Sequence, residues 1–169
     1  MQIFFLCLMT LVASAFADDS LATYIQNIAQ SYTVLNQGIK DWGGDSATAL
    51  RLIADAHDIA KVLVSVRVPD NIEPPTGTVL KERQEAVLSL AKCIDDYRGI
   101  AIAVKVKVES TIPPVKSLVV AAIKALQTGF ITLSTACSVA IPDSQSQAAF
   151  GRINTEMQEI YDIYTSGGK

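Results

Sequence analysis

The stretch from Thr111 to Pro142 constrains the fold most, because it is apolar on nearly every face of a helix. Between Glu109 and Asp143 there is no acidic residue, and the bases are Lys116 and Lys124. Apolar side chains recur there at steps of three and four, which is the period of one helix face. A helix with this composition is buried on most sides. We therefore expect a long central helix with the other helices laid around it.

A membrane span is the alternative interpretation of this stretch, because residues 125–141 are uncharged. In such a span Lys124 and Gln127 would lie within the bilayer. Thr128, Ser134, Thr135 and Ser138 also dilute the hydrophobicity of the stretch. A charged side chain near the middle of a bilayer is costly. We therefore favour a buried helix and expect no transmembrane span in the mature chain.

Four further segments have helical periodicity. They cover residues 20–42, 46–66, 78–109 and 144–164. Residues 103–108 of the third also alternate like a strand, but a lone strand would have no partner, so we expect helix there. Residues 69–77 contain three prolines and read as a loop or lid. The predicted fold is all-α: a single bundle of about five helices around the long central apolar helix.

The N-terminus has the features of a secretory signal peptide. Residues 3–12 are apolar, and Ala15-Phe16-Ala17 reads as a cleavage site. We expect residues 1–17 to be removed and residues 18–169 to form one secreted, extracellular domain. The sequence contains no hydrophobic C-terminal tail, so a lipid anchor at that end is not expected.

Two cysteines remain after residue 17, namely Cys93 and Cys137. Secretion would permit a disulfide. In a hairpin turning near Ser110, however, the two residues are offset by about 10 Å along the bundle axis, at about 1.5 Å rise per residue. We therefore expect two buried free thiols.

Charge and motifs exclude several functions. The 169-residue chain has a net charge of −3 and no cluster of Lys or Arg, so nucleic acid is a poor partner. His57 is the only histidine, and we find neither a nucleophile beside it nor enough ligands for a metal site. A structural histidine is the simpler interpretation. We expect no enzymatic activity, no catalytic residue, no metal and no cofactor.

The order of features resembles a known family. The first helix has the register Ile28, Tyr32, Leu35, Ile39, then Trp42-Gly43-Gly44 opens an alanine-rich helix, and the central helix ends in Ala140-Ile141-Pro142. This pattern is similar to the fungal hydrophobic surface binding protein A family, which includes the cell-wall galactomannoprotein antigens. The resemblance implies about five helices, secretion or cell-wall deposition, and binding of hydrophobic surfaces or of fatty acids within the bundle. The chain departs from the galactomannoproteins because it has no Ser/Thr-rich stalk or anchor signal, which favours a freely secreted form.

Three functions therefore stay open. The first is a secreted, non-enzymatic protein that binds a fatty acid or similar apolar ligand between its helices, since the apolar faces of helices three and four exceed what a small bundle needs. The second is a protein that adsorbs to hydrophobic surfaces and recruits a secreted hydrolase. The third is a structural or effector bundle with a protein partner.

A ligand site follows from the facing arcs of helices three and four. Gly129 removes a side chain in mid-helix, which suggests that it makes space for a ligand. Plain core is the alternative for each of these positions. The predicted ligand-binding residues are Leu88, Ala91, Ile94, Tyr97, Ile123, Leu126, Gly129, Phe130 and Leu133.

Overall fold

The computed structural model describes residues 20–68, 75, 77–110 and 113–166, with side chains from residue 115 in the last range. The predicted signal segment, most of the proline-bearing connection and Thr111, where the central apolar stretch begins, lie outside the described residues. Five helices follow one another: α1 Ser20–Asp41, α2 Ser46–Val64, α3 Gly77–Ser110, α4 Pro113–Ala140 and α5 Ser144–Thr165. The described part contains no strand. The prediction of one all-α bundle of five helices is confirmed, and residues 103–108 are helical.

Side-chain caps fix two of the helix starts. The Asp45 carboxylate accepts a hydrogen bond from the backbone N–H of Thr48 at 2.7 Å, and Asp143 accepts one from Ser146 at 2.8 Å. These bonds satisfy donors that have no partner within the helix. Before α2, Gly44 has a φ of 100°, a conformation that side-chain-bearing residues rarely adopt.

The helices form two layers. α3 lies between α1 and α5 in one layer, while α2 packs beside α4 in the other. α3 and α5 run parallel, because the pairs Gln84–Gln145 and Arg98–Glu159 are both separated by 61 residues. The C-terminal ends of α1, α3 and α5 therefore meet the N-terminal ends of α2 and α4 at one end of the bundle.

The position of α4 differs from the expectation that the other helices surround it. α4 packs on α2 and α5, touches α3 sparsely, and its backbone does not approach α1 within the described residues. Its outer face leaves Leu118, Ile131 and Val139 exposed. By length and composition, Val115–Ala140 could also cross a membrane, a test that the core helix of a folded domain passes as well.

The buried face of α2 also differs from the sequence interpretation. The periodicity of residues 46–66 predicts an inward face of Leu50, Ile53, His57, Ala60 and Val64, but Leu50 and Val64 are 49% and 43% exposed. The buried side chains are those of Ala49, Leu52, Ala56, Ile59, Ala60 and Leu63, so the two sets share Ala60 alone. Both sets have helical spacing, and the alanine-rich set lets α2 approach α4 closely.

Candidate apolar binding cavity

A cavity of about 70 Å³ lies between the two layers, at the end where α1, α3 and α5 terminate. Every helix contributes to its wall, through residues such as Ile39, Ala56, Val104, Val119 and Tyr164. The cavity is partly open to solvent. A site with walls from all five helices is part of the bundle itself and is not formed by a surface loop.

Small side chains explain why the cavity is at this end. Ala49 and Ala56 of α2, Ala101 of α3 and Ala122 of α4 all line it. At the level below, the facing positions hold the larger, fully buried Ile94, Leu126 and Phe130. The gap between the two layers is therefore empty where alanines face one another. It is filled where large side chains interdigitate.

The wall is aliphatic apart from three aromatic residues with polar atoms. The Trp42 indole donates to the carbonyl of Asp45 at 2.8 Å, and the Tyr164 hydroxyl donates to the carbonyl of Ala101 at 2.7 Å. Burial raises the pKa of Tyr97 and of Tyr164, so both hydroxyls stay protonated at neutral pH. An apolar wall with a few polar groups is typical of sites for apolar ligands.

Tyr97 lies at the inner end of the cavity, and two further aromatic rings pack behind it. Tyr97 lines the cavity, and its ring lies edge-on to Tyr32 with a centroid distance of 5.6 Å. Tyr32 in turn contacts Phe130 at 5.5 Å between ring centroids. The hydroxyl of Tyr32 is buried and has no hydrogen-bond partner among the described residues, and burial raises its pKa.

Two of the nine sequence-derived site residues, Tyr97 and Ile123, line this cavity. Six of the other seven lie among the buried residues of the bundle, while Leu88 is half-buried at its edge. The sequence argument treated α3 and α4 as facing neighbours, whereas the fold places them in different layers with sparse contact. Whether any of the nine binds a ligand stays a prediction.

Gly129 has a different role from the space-making one suggested by the sequence. A Cβ at this position would lie 2.7 Å from Cβ of Leu63 and 3.4 Å from the carbonyl oxygen of Ala60. The glycine therefore lets α4 approach α2 until the two backbones nearly touch. It closes the bundle below the cavity and does not open it.

The thiols and the histidine lie away from the cavity wall. Both cysteines are free, which confirms that they are not bridged. Cys137 is buried as expected, but Cys93 is half-buried, with its Sγ 3.6 Å from the Thr33 hydroxyl.

His57 is half-buried on α2. Within the described ranges, no group of three or more His, Cys, Asp or Glu residues could hold a metal ion.

Fold and cavity together define an all-helical bundle with an apolar cavity at one end. The fold is similar to that of AfMP4p, whose crystal structure was determined in complex with palmitic acid: the TM-score is 0.61 and the sequence identity 17%. The match covers 88% of this chain and 97% of that one. At this identity, the similarity establishes the fold alone. No family model and no curated protein matches the sequence.

Proposed function

We propose that the protein binds a fatty acid or a similar single-chain lipid in the cavity between its helices. The observation that carries the proposal is the cavity itself, with an aliphatic wall built by all five helices and an opening to solvent. The similarity in fold to a protein crystallised with palmitic acid supports the same ligand class. In this proposal the protein is secreted, is not an enzyme, and belongs to the family that the sequence resembles.

Binding requires the cavity to widen. Its volume of about 70 Å³ is about half that of an engineered cavity that binds benzene, so an alkyl chain of fatty-acid length does not fit without movement. The wall offers side chains that can rearrange, because Ile39, Ile53, Val104 and Val119 are half-buried at the cavity edge. The contact between α3 and α4 is sparse, so the cavity can widen between these two helices.

Adsorption to hydrophobic surfaces has weaker support. The large apolar side chains that are exposed in the described residues are spread over α1, α2, α3 and α4. Single exposed apolar residues are normal on folded proteins and do not mark a docking surface. The cavity therefore carries the proposal, and the surface does not.

A matched pair of variants on α4 tests the proposal. Val119 and Val120 are adjacent and both half-buried, but only Val119 lines the cavity. We expect Val119→Trp to fill the cavity and weaken binding of a fluorescent fatty acid at least ten-fold, while Val120→Trp binds like the parent. Native mass spectrometry of the purified protein should also detect a bound lipid. Equal binding by both variants, or no binding by the parent, contradicts the proposal.

A further inference from the structure

Gly38 of α1 lies beside the cavity without contributing to its wall. Its neighbours on the helix, Leu35 and Ile39, both line the cavity. Glycine inside a helix is less favourable than alanine, because it loses more backbone freedom on folding. A glycine within α1 therefore calls for a reason in the packing around it.

The Leu52 side chain of α2 occupies the space that Gly38 leaves. A Cβ on Gly38 would lie 2.7 Å from Leu52 Cδ2, and among the described residues no other atom of a neighbouring helix lies within 4 Å of that position. Gly129 differs, because a Cβ there would meet Cβ of Leu63 and the backbone of Ala60. At Gly38 the close atom is the end of a side chain, which can rotate away.

Leu52 is also part of the cavity wall. It lines the cavity together with Ala49, Ile53 and Ala56 of the same helix. Leu52 is 8% exposed, so its side chain has little room on the solvent side. The rest of the bundle around it is packed, and the unfilled space within its reach is the cavity of about 70 Å³. A Leu52 side chain displaced from Gly38 therefore moves into the cavity.

We propose that Gly38 is a positioning residue for the binding site: by leaving room for Leu52, it keeps that side chain out of the cavity and so determines the width available to the alkyl chain of the lipid. A methyl group at position 38 narrows the cavity through Leu52 alone. The same methyl group does not weaken the fold, because alanine is the better helix former and the displaced side chain can rotate. This inference rests on the proposed function and adds to it a residue that controls the width of the site.

A double-mutant cycle between Gly38 and Leu52 tests this inference, because Leu52→Val removes the Cδ2 atom that a Cβ at position 38 would meet. We expect Gly38→Ala to weaken binding of a fluorescent fatty acid about five-fold in the parent, and to have no effect on binding in Leu52→Val. Leu52→Ala also lacks Cδ2 and provides a second background. Thermal unfolding should show that Gly38→Ala is at least as stable as the parent.

Gly99→Ala is the matched control. Gly99 lies inside α3, and a Cβ there meets nothing within 4 Å. This variant makes the same chemical change in a helix without displacing a wall residue, so it should bind the fluorescent fatty acid like the parent.

Each result has one meaning. If Gly38→Ala binds the probe within about two-fold of the parent, the inference is overturned while the proposed function stands. If Gly38→Ala weakens binding in both Leu52 backgrounds as much as in the parent, the effect does not pass through Leu52 and the inference is overturned. A lower unfolding temperature for Gly38→Ala would show that the contact is rigid packing, which also overturns it. If the parent does not bind the probe, the proposed function fails and the inference fails with it.

Discussion

The Tyr164 hydroxyl donates a hydrogen bond to the carbonyl oxygen of Ala101, 2.7 Å away, and so ties the last turn of α5 to α3. Tyr164 is 3% exposed, so water does not replace the bond when the hydroxyl is removed. We expect Tyr164→Phe to lower the free energy of unfolding by about 1 kcal/mol, the usual net worth of such a bond. Urea denaturation followed by circular dichroism measures it.

Tyr32→Phe is the matched comparison for that variant. The Tyr32 hydroxyl is buried without a hydrogen-bond partner among the described residues, so its removal relieves a desolvation penalty. We expect Tyr32→Phe to be neutral or to stabilise by up to about 1 kcal/mol. A loss of stability in Tyr32→Phe equal to that in Tyr164→Phe would show that the hydrogen bond is not the cause.

Gly129→Ala should destabilise the protein, because the added Cβ would meet Cβ of Leu63 at 2.7 Å, and neither atom can rotate away. We expect a loss of about 1–3 kcal/mol, the usual range for overpacking. Gly151→Ala on α5 is the control: a Cβ there meets nothing within 4 Å, so it should gain up to about 1 kcal/mol from helix propensity. Thermal unfolding of both variants gives the comparison, and equal effects would refute the close approach of α2 and α4.

The helices were predictable from sequence because each carries its own signal, while their arrangement was not. Periodicity predicts an inward face of Phe150, Ile153, Met157, Ile160 and Tyr164 on α5, and all five are buried. The predicted starts at residues 46 and 144 coincide with the first residues of α2 and α5. Periodicity does not say which helix an apolar face meets. On α2, two sets of apolar residues both have helical spacing, so either could face the core. Whether Leu50 or Ala49 points inward depends on how closely α4 approaches α2.

The cavity was less predictable than the fold. It exists because several helices carry small side chains at the same height along the bundle axis. Tyr97 and Ile123 were found because they lie on strongly apolar faces. The signal that sequence reasoning missed is the alignment of alanines on different helices, such as Ala56 and Ala122, which is visible only once the helices are paired. Trp42 was noted as part of a motif, but not as part of a cavity wall.

The two thiols should differ in reactivity. Burial raises the pKa of the Cys137 thiol to about 12, although the nearby Arg83 charge acts in the opposite direction. Cys137 therefore has almost no thiolate at neutral pH, and thiolate is the reactive form. We expect the native domain to react with Ellman's reagent at half-buried Cys93, and at Cys137 only after unfolding. Fast reaction in the native Cys93→Ser variant of the domain would contradict this expectation.

Glu156 should make stability depend on pH. Glu156 is 8% exposed, and burial and the charge of Asp95 raise its pKa. The folded protein thus holds this proton more tightly than the unfolded chain, so ionisation destabilises the fold as pH rises through the raised pKa. We expect Glu156→Gln to gain stability relative to the parent between pH 4 and pH 7, measured by urea denaturation at each pH.

Glu159→Gln is the control for that series. Glu159 forms a half-exposed ion pair with Arg98 at 2.6 Å, and such pairs contribute little to stability. We expect this variant to show no gain in stability with rising pH. A parallel pH profile for the two variants would mean that the buried position of Glu156 is not responsible.

Tyr97 should limit the length of the alkyl chain that the cavity accepts. Its ring forms the inner end of the cavity, and the Tyr32 ring packs edge-on behind it. We expect Tyr97→Leu to raise the affinity for stearate relative to laurate, because the smaller side chain lengthens the space along the bundle axis. Tyr24→Leu, at the opposite end of α1, should leave that ratio unchanged. An unchanged ratio in Tyr97→Leu would place the inner end of the cavity elsewhere.

A cavity whose wall comes from all five helices has a kinetic consequence. The wall residues among the described part of the chain all belong to helices or adjoin them, so a lipid enters or leaves when the two layers part, and that movement disturbs the buried core. Association that waits for such an opening is slower than association with a preformed site. Release is slowed by the same barrier. A lipid captured as the chain folds would therefore have a long residence time and would remain bound through dilution and chromatography.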